Sequence, residues 1–209
     1  MANVMAPFGF RPVRHVDGTP YTGSHVLFLV DSGDGTAIGV GDLVKMAGAS
    51  GVAGQVVHGM DVEGMPTAIL ATAGTAGQDL LGPVIGFLVN QDNLMQNSRA
   101  ASQSRVAMVC VDRSVIYEVQ EDADTTPIPS TAIGNTVPYT TTAFNATTGI
   151  SKMALDSSAV NTTNTFPVKI VGLTKKIGNA FNTGGSLVDA ATFDVMLNTG
   201  FLMDNIAGV

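Results

Sequence analysis

Charge is what this sequence has least of. Only 13% of its 209 residues are Asp, Glu, Lys or Arg, against about 25% in a typical soluble domain. So few charges cannot cover a surface in the usual way. Much of the exterior must be hydroxyl, amide, glycine or apolar, which suits a protein with faces buried against neighbours. Bases are scarcest, ten against 17 acids for a net charge of −7, and only Lys175 and Lys176 are adjacent. That excludes the clustered positive charge needed to hold a phosphate backbone, so nucleic acid is not an expected partner. The single cysteine, Cys110, excludes an intrachain disulfide. Its place in the apolar run "RVAMVCVD" predicts a buried, unreactive thiol. Tryptophan is absent, and the longest apolar runs, such as "VLFLV", are too short to cross a bilayer. Without an apolar stretch after the first basic residues, no signal peptide is expected. A soluble protein made in a reducing compartment follows.

Catalytic groupings are missing as well. His15, His25 and His58 stand apart from one another and from Cys110, at no metal-ligand spacing. No Gly-x-Ser-x-Gly elbow occurs. The acidic run Glu118, Glu121, Asp122, Asp124 reads as a solvated strand end rather than as paired carboxylates for acid–base work. The glycine-rich "DSGDGTAIGVGDLVKM" leads into a strand instead of a helix, which argues against a phosphate cradle. Its Asp31, Asp34 and Asp42 lack the alternation of a calcium loop, and the stretch reads as turns between strands. The expectation is a non-enzyme with no cofactor, no metal and no small-molecule substrate.

What is present is strand signal. β-Branched runs bounded by Gly, Asn and Asp recur along the chain: "HVLFLV", "DLVKM", "GQVVHG", "TAILATA", "PVIGFLV", "RVAMVCV", "VIYEVQ", "VPYTTT", "VKIVGLT" and "TFDVMLN". The one helix candidate, "QDNLMQNSRAASQSR", is weakened by Asn and Ser and is equally a loop. The Thr-rich segment after Glu118 is too long for a bare connection and reads as exposed hairpins. The predicted class is mainly β with little helix: an extended N-terminal arm over 1–23, a small barrel over 24–112 and a second β-rich region over 113–209.

The arm, "MANVMAPFGFRPVRHVDGTPY", sets Phe8, Phe10 and Tyr21 among prolines and basic residues without any period. Burying three aromatics contributes at most roughly 15 kcal/mol. Fixing about twenty residues costs roughly 20–40 kcal/mol. The arm therefore needs a surface that supplies backbone bonds and pockets, either its own barrel or a neighbouring subunit, and the low charge elsewhere favours the neighbour. Phe8, Phe10, Arg11, Pro12, Arg14 and Tyr21 are the candidate interface residues, with the arginines expected to dock on acidic groups of a partner. Deleting residues 2–20 is then expected to leave the fold intact and abolish attachment.

"APFGFRPVRHVDGTPYTG" resembles the opening of small structural proteins of tailed bacteriophages. "VIYEVQED", "TGISKMALDSS", "PVKIVGLTKKIGN" and "FDVMLNTGF" are similar to the second half of the same proteins. The resemblance implies a head decoration, or cement, protein: a β-rich homotrimer on the capsid exterior, binding the major capsid protein and stabilising contacts between capsomers. Alternatives are a tail-tube or head-completion protein, or a carbohydrate-binding β module acting at a host surface.

Overall fold

The computed structural model describes residues 4–73, 80–162, 166–181 and 190–198. The strands are β1 (Arg11–His15), β2 (Val26–Val30), β3 (Leu43–Ser50), β4 (Val56–Val57), β5 (Met60–Asp61), β6 (Pro66–Leu70) and β7 (Leu80–Phe87). They continue with β8 (Arg105–Val109), β9 (Val115–Gln120), β10 (Thr136–Val137), β11 (Tyr139–Thr140), β12 (Ala154–Leu155), β13 (Val168–Leu173) and β14 (Thr192–Leu197). Two single 3-10 turns, Ser130–Ala132 and Ser157–Ala159, are the helical content of the described residues. The mainly β class is as the sequence predicts.

Five strands close into a ring in the order β2-β6-β3-β7-β8. Its one parallel contact joins β2 to β6 through Leu29 and Thr67; β2 and β8 complete the ring antiparallel, from Val26 opposite Val109 to Val30 opposite Arg105. Gly82 in β7 is required there, since at φ +147° a Cβ would lie 1.8 Å from the Cys110 carbonyl oxygen. A second, antiparallel sheet runs β1-β9-β14-β13-β10. Short pairs β4-β5 and β11-β12 are separate; Val57 and Val62 of the first hairpin cover Leu29 and Val106 of the ring.

Position 112/113, the expected boundary, falls between β8 of the ring and β9 of the second sheet, but β1, which precedes the ring in the chain, belongs to that second sheet. The core ignores this boundary. Leu43, Leu80 and Cys110 from the ring side pack in one cluster with Tyr117, Val119, Ile170, Phe193 and Val195 from the sheet. Every residue of β9 is buried, so its alternation is hidden: both faces are covered. The Thr-rich region is only partly exposed. Thr141 and Thr142 face solvent, but Val137, Tyr139, Met153 and Leu155 are core residues.

Cys110 is fully buried, with its sulfur 3.3 Å from the Tyr117 hydroxyl. The native protein is expected to resist a thiol reagent until denaturant is added. Rapid labelling of the folded chain would refute this reading of its surroundings.

The stretch 91–105 forms no helix. Asn90 and Asn93 take the amides of Asp92 and Met95 on their own side-chain oxygens, which closes local turns instead. Two buried arginines then bond carbonyls of this stretch and of the segments beside it. Arg99 donates to the carbonyls of Asp31, Asp34, Thr36 and Gln103, and pairs with the Asp34 carboxylate. Arg105 donates to those of Leu88, Gln96 and Ser98. The glycine-rich 31–42 segment is, as expected, a set of turns, with Asp31 and Asp34 accepting from Gly33 and Thr36 amides and Arg99 beneath them.

Candidate interface at the N-terminal segment

The opening segment is extended, but its anchor is its own chain. Gly9, at φ +71°, turns the backbone where a Cβ would lie 2.4 Å from that of Ser151. This delivers Phe10 into the core, 1% exposed and edge-on to Tyr139 at 6.0 Å. Its amide donates to the Gly41 carbonyl. Residues 11–15 then form an edge strand, Arg11 opposite Glu118 and His15 opposite Val115. Before the turn, the Gln120 side chain accepts from the Ala6 amide and donates to the carbonyls of Val4 and Ala190. The backbone bonds that the segment needed are supplied by β9.

The arginines follow the same pattern. They were expected to reach a partner's acids; instead each pairs with an acid of the neighbouring strands. Arg14 meets Asp194 at 2.9 Å, where the Thr174 hydroxyl also donates at 2.6 Å. Arg11 and Lys176 share the buried Glu118. Burial pushes the Glu118 carboxyl up, but its bonds to Lys176 and Arg11 outweigh this and hold it below the usual carboxylate range. The Phe8 ring lies beside the same two cations, 4.8 Å from the Arg11 guanidinium and 5.7 Å from the Lys176 ammonium. The acidic run is therefore no solvated strand end. Glu121 is wholly buried and accepts from the Ile128 and Ala191 amides. Asp122, Asp124 and Asp156 bring their oxygens within 4.8 Å of one another, and each accepts a bond from Ser157 or Ser158 at the following turn.

Five of the six candidate residues meet. Phe8, Phe10, Arg11, Pro12 and Tyr21 line an open hollow of ≈ 320 Å³, completed by Val40, Gly41, Val84, Ile85 and Ile150. Arg14 is not among them. The Tyr21 hydroxyl donates to the Ser24 carbonyl at 2.5 Å, and burial, with Cys110 beside it, raises its phenol. Ile150 is 42% exposed on the rim. The hollow can accept an apolar side chain, with Arg11 offering a donor at its edge. Ile85 and Ile150 are remote from the arm in sequence, and no pattern in the chain pointed to them. The pairing of Arg11 with Lys176 through Glu118 had one faint signal, a carboxylate inside an otherwise apolar strand.

Behind the hollow, Gly41 is held by its amide donating to the Val84 carbonyl, and Asp42 closes the turn by accepting from the Gly39 amide at 2.7 Å. Asp42 is 2% exposed and its Oδ1 has no hydrogen-bond partner among the described residues. Burial pushes its carboxyl up to about 6, against the Ser151 hydroxyl and the Gly39 amide. The folded value thus exceeds the unfolded one of 3.8. The native state gains from holding this proton below about pH 4, and the gain is lost as pH rises through about 6. Asp42→Asn keeps an acceptor for Gly39 without the charge. It is expected to raise stability at pH 8 by roughly 1–3 kcal/mol, with little effect near pH 4. Denaturant melts across that range test this; a pH-independent difference would refute it.

The chain matches no family model, no curated protein and no solved structure.

Proposed function

We propose that this protein is a capsid cement: a homotrimer that sits on the outside of a tailed-phage head, binds the major capsid protein and stabilises contacts between capsomers. One observation carries the reading. The segment that bears the phage resemblance is locked into the fold, yet it leaves an open, mostly apolar hollow lined by Phe8, Pro12, Tyr21 and Ile150. A side chain from the shell fills it, and Arg11, its charge balanced by Glu118, offers a donor at low cost. The scarcity of surface charge suits the same role, since desolvating few charges makes large contacts cheaper.

Phage shells lacking this protein provide the test. Ile150→Glu places a charge on the rim of the hollow and is expected to weaken co-sedimentation with the shells at least tenfold. Val52→Glu, on an exposed residue of the turn between β3 and β4, is expected to bind normally. Both variants should keep the parent circular dichroism. Equal binding by the two removes the hollow from the interface and the reading with it.

A further inference from the structure

A second cleft lies away from the hollow, between the tip of the β4–β5 hairpin and the loop that follows β7. Its volume is ≈ 420 Å³, and its lining is polar: His58, Asn90, Asp92, Asn93, Gln96, Gln103 and Ser104. Nothing in the shell-binding reading uses it.

The hairpin turn is His58-Gly59, with φ +48° and +81°. Two positive φ values in a two-residue loop define the type I′ turn, for which Asn-Gly or Gly-Gly is the low-cost choice. This chain places an imidazole at the first position instead, where a residue with a Cβ is strained. The Nε2 of that ring is enclosed and has no hydrogen-bond partner among the described residues. An enclosed, unbonded nitrogen on a strained residue calls for a cause.

Facing it, three amides are linked in series. Asn90 Nδ2 donates to Gln96 Oε1 at 2.8 Å, and Gln96 Nε2 donates to Gln103 Oε1 at 2.9 Å. Each linking amide keeps a second N–H, and both N–H groups of Gln103 are unspent among the described residues, so the row presents several donors beside acceptor oxygens. Asn90, with its side chain bonded to both Gln96 and the Asp92 amide, is 8% exposed and fixes the inner end of the row. No Lys or Arg lines the cleft. Arg105, beneath the loop, directs its terminal nitrogens at carbonyls. An anion would meet Asp92 without a cation to offset it, which argues against phosphate or sulfate.

We propose that this cleft binds a neutral saccharide. A sugar hydroxyl both donates and accepts, so adjacent hydroxyls satisfy the His58 nitrogen in either tautomer together with the amide row. The volume fits a small ligand site of one or two rings.

The test is a nitrogen-15 NMR titration of the full chain with glucose, galactose, mannose and N-acetylglucosamine, each to millimolar concentration, with inorganic phosphate as the contrasting probe. At least one sugar is expected to shift the side-chain amides of Asn90, Gln96 and Gln103 and the His58 ring saturably, with a common dissociation constant. His58→Gly is expected to weaken that binding at least tenfold while leaving the melting temperature unchanged or higher, because glycine suits the turn. Gln103→Ala should weaken binding without altering the melt. The proposal falls if none of the four sugars produces a saturable shift, if phosphate alone does, or if His58→Gly binds as well as the parent.

Discussion

Phe10→Ala is expected to destabilise the protein by about 3–5 kcal/mol, the usual cost of emptying a buried aromatic site. In a chain of this length that corresponds to a fall in melting temperature of roughly 10 °C. Phe10 fills the core beside Tyr139 and is only 1% exposed, too little for a partner to restore the loss. Removing residues 2–20 goes further. It takes away Phe10, the strand paired with β9 and the arginine partners of Glu118 and Asp194 at once. The expected result is loss of the cooperative thermal transition, not a folded core lacking an attachment arm. A truncated chain that melts like the parent would show that β1 is dispensable to the sheet.

Arg99→Ala is expected to cost a comparable amount, about 3–5 kcal/mol. The Arg99 side chain is wholly buried and donates to four backbone carbonyls, of which those of Asp31 and Asp34 also accept from the Asp34 and Ser102 amides. Alanine leaves the Thr36 and Gln103 carbonyls without this donor, weakens the hold on those of Asp31 and Asp34, and leaves the Asp34 carboxylate without its cation. The damage should be concentrated in the two segments that Arg99 ties together, 31–38 and 88–104, which are expected to become the first sites of limited proteolysis. Arg99→Lys should recover only part of the loss, because one ammonium cannot span the positions a planar guanidinium reaches. Unaltered denaturant melts and digestion patterns in Arg99→Ala would overturn this account.

Most strands were legible because β-branched runs bounded by Gly and Asp identify themselves over five or six residues. "VLFLV", "VIYEVQ" and "VKIVGL" became β2, β9 and β13 with boundaries shifted by at most a residue. β1 was not legible: Pro7 and Pro12 broke every period, and its pairing partner lies a hundred positions away in sequence. Its energetics were misjudged for the same reason. Aromatic burial was weighed against chain entropy without the bonds that β9 and Gln120 supply. The candidate residues nevertheless came together, since Phe8, Pro12 and Tyr21 have few places to go once Phe10 is fixed. Their non-local neighbours Val84, Ile85 and Ile150 carry no local mark. As charges, Arg99 and Arg105 entered the sequence reading only among the ten bases, because composition does not distinguish an arginine in water from one that organises a loop.

The edge position of β1 sets an order of events during synthesis. The strand leaves the ribosome well before β9, its one sheet partner among the described residues, which comes about a hundred residues later. At ~5–20 residues per second that is a wait of roughly 5–20 s. During that interval Phe8, Phe10 and the ring-side face of the core lack the cover that β9 and its sheet give them. A nascent chain stalled before Val115 should therefore engage chaperones that hold apolar segments, and one stalled after Gln120 should begin to release them.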